Sequence, residues 1–209
     1  MSAAPGERAK RLLDLAVSLP LLALSAPVQL VVAVAIRISL GRPVLFRQVR
    51  PGLHGEPFTL LKFRTMVPGH DSTQIADDAA RLTPLGRLLR ATSLDELPTL
   101  WSVARGDMSL VGPRPLLMAY LPRYTTEQRR RHEVRPGVTG LAQVSGRNAL
   151  SWDERLRLDV QYVENHSLSG DIRILAATVG SVLRREGISA PGQATVEEFR
   201  GTADRVEEL

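Results

Sequence analysis

The chain has 209 residues, enough for one domain with a modest hydrophobic core. Its 27 Lys and Arg residues against 22 Asp and Glu residues give a net charge of +5, which favours an anionic partner such as nucleic acid, a phospholipid surface or a phosphorylated substrate. An aromatic content of 4% argues against a stacking platform for single-stranded nucleic acid, and the absence of cysteine excludes a disulfide framework and a cysteine-ligated zinc site.

The first element is the apolar stretch LAVSLPLLALSAPVQLVVAVAI, residues 15–36, which contains no charged residue. As a helix it would be about 33 Å long, just enough to cross a hydrocarbon core of about 30 Å. Pro27 predicts a kink, because proline lacks a backbone donor and clashes with the carbonyl of Ala23. Basic residues flank both ends: Arg8, Lys10 and Arg11 before, and Arg37, Arg42, Arg47 and Arg50 after. Since basic flanks are typical of the cytoplasmic side, we expect a re-entrant helix that leaves on the face it entered.

Three other interpretations of this stretch are open. A spanning helix fits the length but neither the proline nor the symmetric charge. A cleaved signal peptide, with residues 33–35 as a small-residue cleavage site, normally has an apolar region of only 7–15 residues. A wholly buried helix of a soluble protein is disfavoured by the length of the run.

Local signals then predict a hairpin, a loop and a helix. Residues 43–63 alternate in hydrophobicity and contain a Pro-Gly pair, which indicates a β-hairpin. Residues 67–82 are polar and predict a mobile loop. The segment TPLGRLLRA predicts a short amphipathic helix, with Thr83 as N-cap and Pro84 at the first helical position.

The next stretch combines a helix with irregular segments. Residues 94–105 predict a second helix that ends at Gly106, and residues 107–116 predict a proline-interrupted loop. Either Thr125 or the threonine after it is expected to cap a basic helix. Residues 135–148 predict a Gly-rich connection.

Two further helices and a tail complete the chain. Ser151 and Glu154 form a capping-box pattern before a helix that presents Leu156, Val160 and Val163 on one face. Asp171 is expected to cap the last helix, which Gly187 would close. The acidic tail over residues 189–209 is expected to be weakly ordered.

Asp95 and Glu96 allow two interpretations. Ser93 is a natural N-cap, and Glu96 follows at the capping-box spacing, so the pair fits the acidic first turn of an ordinary helix. Alternatively, one carboxylate faces a pocket as nucleophile or metal ligand, because adjacent helical residues point about 100° apart. Cations stand around the pair in the sequence: Lys62 and Arg64, Arg90, Arg114 in VGPRP, and Arg147 in SGRN. Arginine suits phosphate oxygens, whereas the P-loop, G-x-G-x-x-G and G-x-S-x-G motifs are absent.

Six blocks in order carry a resemblance to a known family: KRLLD, GRPVLFRQVRPG, FTLLKFRTM, RLTPLGRLLRATSLDELPTLWSVARGDMSLVGPRP, RHEVRPGVTGLAQVSGRN and LDVQYVENHSLSGDIRIL. Over residues 8–185 the chain resembles the bacterial sugar transferase family, the small monotopic polyprenyl-phosphate phosphoglycosyl transferases. With this resemblance, the catalytic interpretation of Asp95 and Glu96 prevails over the capping box.

The resemblance implies the reaction and its residues. A phospho-sugar would pass from a UDP-sugar to polyprenyl (undecaprenyl) phosphate with release of UMP, in two steps and with Mg²⁺. Asp95 would attack the β-phosphate, form a phospho-sugar ester and also ligate magnesium. Glu96 would assist by positioning or deprotonating the acceptor phosphate. Four basic residues would hold diphosphate or lipid phosphate: Lys62, Arg90, Arg114 and Arg147. Asp159 matches another acidic position, to which no role is assigned.

The resemblance also implies the architecture: an α+β, mostly helical fold at the cytoplasmic face of the bacterial inner membrane. We expect a re-entrant membrane helix within residues 1–42, a catalytic domain over 43–188 with a short hairpin and interfacial helices, and the tail over 189–209. The product would initiate a lipid-linked glycan, such as an exopolysaccharide, capsule, O-antigen or glycoprotein glycan. No nucleic-acid partner is expected, and the sugar is not specified.

One departure from the family pattern concerns the membrane helix. Ala26 precedes Pro27, where family members often have serine, and the serine lies one position earlier at Ser25. A serine hydroxyl can satisfy a carbonyl freed by proline, so the bend is less secure here. Two other functions compete: a membrane-anchored protein that binds anions without chemistry, and a metal-dependent hydrolase of lipid diphosphates.

Overall fold

The computed structural model describes residues 5–67, 81–146, 150–184 and 198–201, and this part is mostly helical, as expected. Its helices and strands are α1 (Pro5–Ser39), β1 (Leu45–Pro51), β2 (Pro57–Phe63), α2 (Pro84–Ala91), α3 (Thr99–Arg105), β3 (Ser109–Val111), α4 (Thr126–Arg129), β4 (Gly137–Thr139), α5 (Leu141–Ser145), α6 (Trp152–Asn165) and α7 (Leu168–Arg184). Short 3₁₀ helices occupy Leu53–Gly55, Leu94–Glu96, Met118–Arg123 and Arg130–His132. Residues 68–80 of the polar loop, Arg147, Gly187 and most of the tail lie outside the described residues.

Helix α1 is long and apolar enough to cross a membrane, by length and composition. Its 35 residues extend over about 52 Å and run through Pro20 and Pro27. Only 11% of its most apolar window is buried, and Leu24 is 77% exposed, so the interpretation as a buried core helix is wrong. Ser25 donates to the carbonyl of Leu22 at 3.4 Å and accepts from Gln29 at 2.9 Å, which does not satisfy the Ala23 carbonyl. The re-entrant bend stays a prediction.

Both ends of α1 contact the rest of the molecule. Near the N-terminus, Lys10 Nζ donates to the carbonyl of Val111 at 2.9 Å and to the carboxylate of Asp171 at 2.6 Å. Just beyond the C-terminus, Arg64 donates to the carbonyl of Gly41 at 3.1 Å. Exposed apolar side chains run along α1 from Leu12 to Ile38, while residues near its two ends are tied to the body that contains the strands.

The hairpin is confirmed, and a second strand pair was not predicted. β1 and β2 pair antiparallel, with Leu45 opposite Phe63. β3 and β4 pair in parallel, within the segments for which the sequence predicts a loop and a Gly-rich connection. Three-residue strands are too short to show an alternating pattern. The pairing needs glycine, because a Cβ on Gly137 would lie 2.1 Å from the backbone nitrogen of Gly112.

Helix ends follow the local signals in most places. The Thr83 hydroxyl accepts from Gly86 N at 2.9 Å, and Ser151 with Glu154 forms the predicted capping box at the start of α6. Gly106 ends α3 with φ of 95°. A capping box at Thr125 likewise begins α4, although this helix is only four residues long. These predictions are confirmed because each depends on partners within a few residues.

The prediction for Asp171 is wrong. Helix α7 begins at Leu168, and the Ser167 hydroxyl accepts from Gly170 N at 3.2 Å, so Ser167 supplies the cap. Asp171 lies inside the first turn, is buried, and accepts from the Tyr162 hydroxyl at 2.8 Å in addition to Lys10. Its carboxylate connects α7 to α1 through Lys10 instead of capping the start of α7.

Three clusters of buried side chains form the core. The central one joins β2, α3, β3, α6 and α7 and consists of Leu60, Leu100, Val103, Met108, Leu110, Val111, Tyr162 and Ile174. The second is rich in aromatic rings: Leu116, Tyr120, Tyr124, Leu156 and Phe199. The third packs α1 on the hairpin and α2: Val32, Ile36, Phe63 and Leu89. Phe199 belongs to the tail, and its side chain is nevertheless buried in the second cluster.

Candidate active site

Asp95 lies in the 3₁₀ helix Leu94–Glu96, between α2 and α3, where its side chain is largely removed from solvent. Burial and, to a smaller extent, the neighbouring charge of Glu96 raise the pKa of Asp95 to about 6. Lys62 and the arginines at positions 90 and 114 oppose this shift. Above pH 6 the group is therefore mainly a carboxylate, and it is held in surroundings that penalise its charge.

Glu96 is the shared counter-ion of two cations. Its Oε1 accepts from Lys62 Nζ at 2.5 Å and from the Arg114 guanidinium at 2.7 Å. Burial alone would raise the pKa of Glu96, but the charges of Arg114 and Lys62 outweigh burial and hold the pKa far below its usual range. Glu96 is thus ionised, and it fixes the positions of both cations.

The capping-box interpretation of the pair is wrong. Ser93 has φ of 56°, in the left-handed region, and its side chain caps no helix. The carboxylate of Glu96 points to Lys62 and Arg114, which lie 34 and 18 residues away in sequence. The predicted helix over 94–105 is also divided, because Pro98 separates the 3₁₀ turn from α3.

Strand β2 and helix α2 supply two of the predicted cations. Lys62 lies in β2. Burial lowers its pKa, and the opposing charge of Glu96 offsets only part of that shift, so the pKa stays below its usual value. Arg90 lies in the last turn of α2 and its Nε donates to the Thr65 hydroxyl at 3.1 Å. Helix α2 approaches Thr65 closely, since a Cβ on Gly86 would lie 1.9 Å from the Thr65 carbonyl oxygen.

A buried ion pair supports Arg114 from behind. Arg131 donates to the backbone carbonyl of Arg114 at 2.7 Å and to the carboxylate of Asp159 at 2.7 and 3.0 Å. No role was assigned to Asp159 from the sequence. In the structure it binds Arg131, and Arg131 in turn binds the backbone of the VGPRP segment. The side chain of Arg114 faces Glu96 while its backbone is fixed by this pair.

Two further arginines lie in this region and were not predicted as site residues. Arg50 donates to the carbonyl of Pro115 at 3.4 Å, and burial together with the charge of Arg114 lowers its pKa to about 10. Burial also lowers the pKa of Arg155, with Arg114 contributing in the same direction. In the sequence Arg50 is indistinguishable from the basic flank of α1, and Arg155 from a solvated charge on α6. Arg147 is outside the described residues.

The donor set suits magnesium that arrives with a phosphorylated ligand. Within the described residues no group of three or more Asp, Glu, His or Cys side chains is placed to hold a metal. Mg²⁺ in phosphate-transfer sites usually takes one or two carboxylates plus substrate phosphates and water. Asp95 offers such a carboxylate, whereas Glu96 is occupied by Lys62 and Arg114. The residues fit a shared metal site and not an all-protein cage.

A buried carboxylate thus lies among converging cations, in a chain whose helix α1 is apolar and long enough to cross a membrane. Such an arrangement of charges is suited to group transfer between phosphorylated substrates. The family model described as bacterial sugar transferase matches residues 6–185. The chain belongs to this family.

Several curated proteins are similar to the chain. The uncharacterized sugar transferase EpsL of Bacillus subtilis is 53% identical over 93% of this chain and 97% of the relative. The UDP-glucose:undecaprenyl-phosphate glucose-1-phosphate transferase of Caulobacter vibrioides is 44% identical over 83% of this chain and 69% of the relative. The undecaprenyl-phosphate galactose phosphotransferase of Salmonella typhimurium is 38% identical over 85% of this chain and 41% of its own length. The predicted enzyme class, polyprenyl-phosphate phosphoglycosyl transferase, is confirmed.

Proposed function

We propose that this enzyme transfers a phospho-sugar from a UDP-sugar to undecaprenyl phosphate, through an ester on Asp95, and releases UMP. The observation that carries the proposal is the placement of the buried Asp95 carboxylate beside the Lys62–Glu96–Arg114 cluster. The names of relatives that act on undecaprenyl phosphate with UDP-glucose or galactose support the substrate classes. The product would begin a lipid-linked glycan, in keeping with a relative from Rhizobium meliloti named as an exopolysaccharide production protein.

In the first step a carboxylate oxygen of Asp95 attacks the β-phosphorus of the donor. The bond from this phosphorus to the bridging oxygen breaks, and UMP leaves with the electron pair. Burial makes the attacking carboxylate poorly solvated, which favours its reaction with phosphorus once the negative charge of the donor is neutralised. Lys62, Arg90 and Arg114, whose charges lower the pKa of Asp95, would neutralise that charge.

In the second step an oxygen of the lipid phosphate attacks the phosphorus of the aspartyl ester. The ester bond breaks, Asp95 is regenerated as a carboxylate, and the product is a polyprenyl diphosphate sugar. Two steps at one carboxylate suit a donor that is water-soluble and an acceptor that stays in the bilayer, because the two substrates never need to be bound together.

Glu96 is assigned to positioning and not to proton removal. Its lowered pKa makes it a weak base, and a phosphate monoester already loses its second proton near pH 6. Its two ion pairs orient Lys62 and Arg114 toward the transferred group. Asp95 would hold magnesium when the ion is bound, and the ion would supply further positive charge to the transferred phosphate.

The membrane arrangement follows from the two ends of α1. We propose that α1 is re-entrant and that both ends lie on the cytoplasmic face of the inner membrane. Lys10 and Arg64 connect the regions near the two ends of α1 to the same body, which supports placing both ends on one side of the bilayer. The exposed apolar side chains of α1 then face the bilayer, and the site lies at the interface where the lipid phosphate is found.

The chain contains no cysteine, so single cysteines test this topology directly. Glu7→Cys and Arg42→Cys place thiols at exposed positions near the two ends of α1, and Arg157→Cys marks the catalytic body. In inside-out vesicles all three should react with a membrane-impermeant maleimide, and in right-side-out vesicles none should. Opposite labelling of positions 7 and 42 would show that α1 spans the membrane.

The reaction is tested with detergent-solubilised enzyme, Mg²⁺, undecaprenyl phosphate and a panel of UDP-sugars. The proposal predicts lipid-dependent UMP release and a lipid-linked product with at least one donor, and neither with Asp95→Asn. Free phospho-sugar in place of a lipid-linked product would identify a hydrolase. A folded sample that binds anions but turns over no donor would favour a binding protein.

A further inference from the structure

Arg155 is held over an aromatic ring at the start of α6. Its guanidinium carbon lies 4.6 Å from the centre of the Trp152 ring, three residues earlier in the same helix. This separation is typical of a cation–π contact, and the planar guanidinium is well suited to it. A side chain fixed in this way retains little of the rotamer freedom of a surface arginine. Its charged end is therefore directed before any ligand binds.

The same helix places Arg155 on the face that leads to the candidate active site. Residues four apart share one side of a helix, so Arg155 lies one turn before Asp159. The carboxylate of Asp159 is bound by Arg131, which in turn donates to the backbone of Arg114. Contacts thus connect Asp159, one turn from Arg155, to the backbone of the predicted phosphate-binding residue Arg114.

The charge balance on this face favours an anion. Burial is the main cause that lowers the pKa of Arg155. Asp159 raises this pKa, whereas the charges of Arg114 and Arg131 lower it. The pKa of Arg50 is lowered by burial and by Arg114 as well. The charge of Arg114 thus repels those of Arg50 and Arg155, and phosphate oxygens bound near them would relieve that repulsion.

The C-terminal segment Glu198–Gly201 determines where Trp152 lies. The ring of Phe199 is 2% exposed and its centre lies 5.4 Å from the Trp152 ring, 5.7 Å from Tyr120 and 5.6 Å from Tyr124. Arg123 ties the segment down by an ion pair to Glu198 at 2.7 Å and by a hydrogen bond to the Phe199 carbonyl. Phe199 therefore fills the space behind the ring on which Arg155 rests.

We propose that Arg155 binds a phosphate of the nucleoside-diphosphate donor, and that Phe199 is a positioning residue that acts on this phosphate site through Trp152. The inference rests on the proposed function for the identity of the donor. It assigns to the end of the chain a part in donor binding, although the segment lies more than 30 residues beyond α6 in sequence. Phe199 itself touches no substrate.

Donor kinetics and equilibrium binding of UDP test the role of Arg155. We expect Arg155→Gln to raise the KM for the UDP-sugar and the Kd for UDP about tenfold each while kcat changes less than about twofold, because ground-state binding is lost. Arg155→Lys keeps the charge but not the planar group that stacks on Trp152. Its KM and Kd should lie between those of the wild type and of Arg155→Gln. Arg157→Gln, on an exposed neighbouring position of α6, is the matched control and should leave both constants unchanged.

A double-mutant cycle tests the role of Phe199. Phe199→Ala should raise KM and Kd severalfold, and Phe199→Leu, which retains more of the ring's volume, should restore part of the loss. In the Arg155→Gln background Phe199→Ala should add little, because both changes remove the same contact. Additive effects would make Phe199 a residue of general stability only. If Phe199→Ala does not fold, the same cycle with Phe199→Leu shows whether the effect of Phe199 depends on Arg155.

The outcomes separate this inference from the proposed function. Unchanged KM and Kd in Arg155→Gln, with an active wild-type enzyme, overturn the phosphate site and leave the reaction standing. A wild-type enzyme without lipid-dependent UMP release refutes the proposed function, while the Kd for UDP still reports on Arg155. UDP binding that is insensitive to Arg155→Gln in that case would refute both.

Discussion

The Lys62–Glu96–Arg114 cluster and the Arg131–Asp159 pair meet at Arg114 but differ in their access to solvent. The three side chains of the cluster are 20%, 22% and 43% exposed, in the order named, whereas those of the pair are 1% and 4% exposed. An ion pair that water reaches can exchange a partner for a substrate phosphate. One that is fully buried cannot, because separating it would leave an uncompensated charge in the interior. The cluster is therefore suited to binding and the pair to support.

The largest effect is expected at Asp95, next to the exposed cluster. Asp95→Asn should lower turnover by at least about 10³-fold, because the amide cannot attack phosphorus. It should also stabilise the protein at pH 7.5 by up to about 3 kcal/mol, since one pKa unit corresponds to about 1.4 kcal/mol. The folded-state pKa of about 6 lies above the usual 3.8, so the wild-type protein loses stability as pH rises through this window. Thermal unfolding in detergent at pH 4.5 and 7.5 measures the difference, and an Asn variant that is less stable at both pH values would contradict the account.

The buried pair should show the opposite behaviour, with stability affected first. Arg131→Met leaves Asp159 buried without its partner and should cost about 3–5 kcal/mol of unfolding free energy. The double change Arg131→Met and Asp159→Leu should recover most of that loss, because no buried charge remains. Denaturant titrations of the single and double variants test this. A double variant no more stable than the single one would show that the pair contributes more than mutual neutralisation.

A change in the exposed cluster should alter activity more than stability. Glu96→Gln should lower kcat/KM about 10- to 100-fold, since Lys62 and Arg114 lose the acceptor that orients them. Its unfolding free energy should fall less than that of Arg131→Met, because water reaches the freed cations. Glu133→Gln is the control, an exposed carboxylate paired with Arg130 at 3.3 Å, and should leave kinetics unchanged. Equal loss of activity in both variants would refute a specific role for Glu96.

The pH profile sharpens the assignment of the reacting carboxylate. Below pH 6 the kcat/KM of the wild-type enzyme should fall about tenfold per pH unit as Asp95 becomes protonated. Because the charge of Glu96 raises the pKa of Asp95, Glu96→Gln should move this acidic limb to lower pH. A limb at the same pH in both enzymes would assign the titration to a substrate phosphate.

The smallest effects separate a false cap from a true one. Ser93→Gly should be neutral or stabilise the protein by about 0.5–1 kcal/mol, because glycine adopts a positive φ without strain. Ser151→Ala should cost about 1 kcal/mol, because its hydroxyl accepts from Glu154 N at the start of α6. Thermal unfolding of both variants tests the contrast, and a loss of stability in Ser93→Gly would show that Ser93 contributes through its side chain.

These two serines also show what the sequence can predict. Ser93 with Glu96 and Ser151 with Glu154 have the same spacing, yet only the second forms a capping box. Glu154 has local partners only, whereas Glu96 finds Lys62 and Arg114 through the tertiary fold. Local signals decide helix ends where no stronger distant partner competes. They cannot show which carboxylate has such a partner.

The same limit applies to the rest of the site. The resemblance identified Lys62, Glu96 and Arg114, which the structure brings together, but it gave no role to Asp159. The parallel pairing of β3 and β4 joins residues 28 positions apart through three-residue strands. Neither segment contains a local signal that predicts its pairing with the other. The acidic composition of the tail likewise does not predict the burial of Phe199. Such features depend on contacts between distant segments.

The measurement that tests the central claim most directly omits the lipid acceptor. Enzyme incubated with its UDP-sugar and Mg²⁺ alone should release about one equivalent of UMP in a burst. It should also gain the mass of one phospho-sugar on the peptide that carries Asp95, and undecaprenyl phosphate should remove that mass. Asp95→Asn should show neither burst nor adduct. Formation of the lipid product by an enzyme that never carries the adduct would mean direct transfer between substrates and would contradict the account.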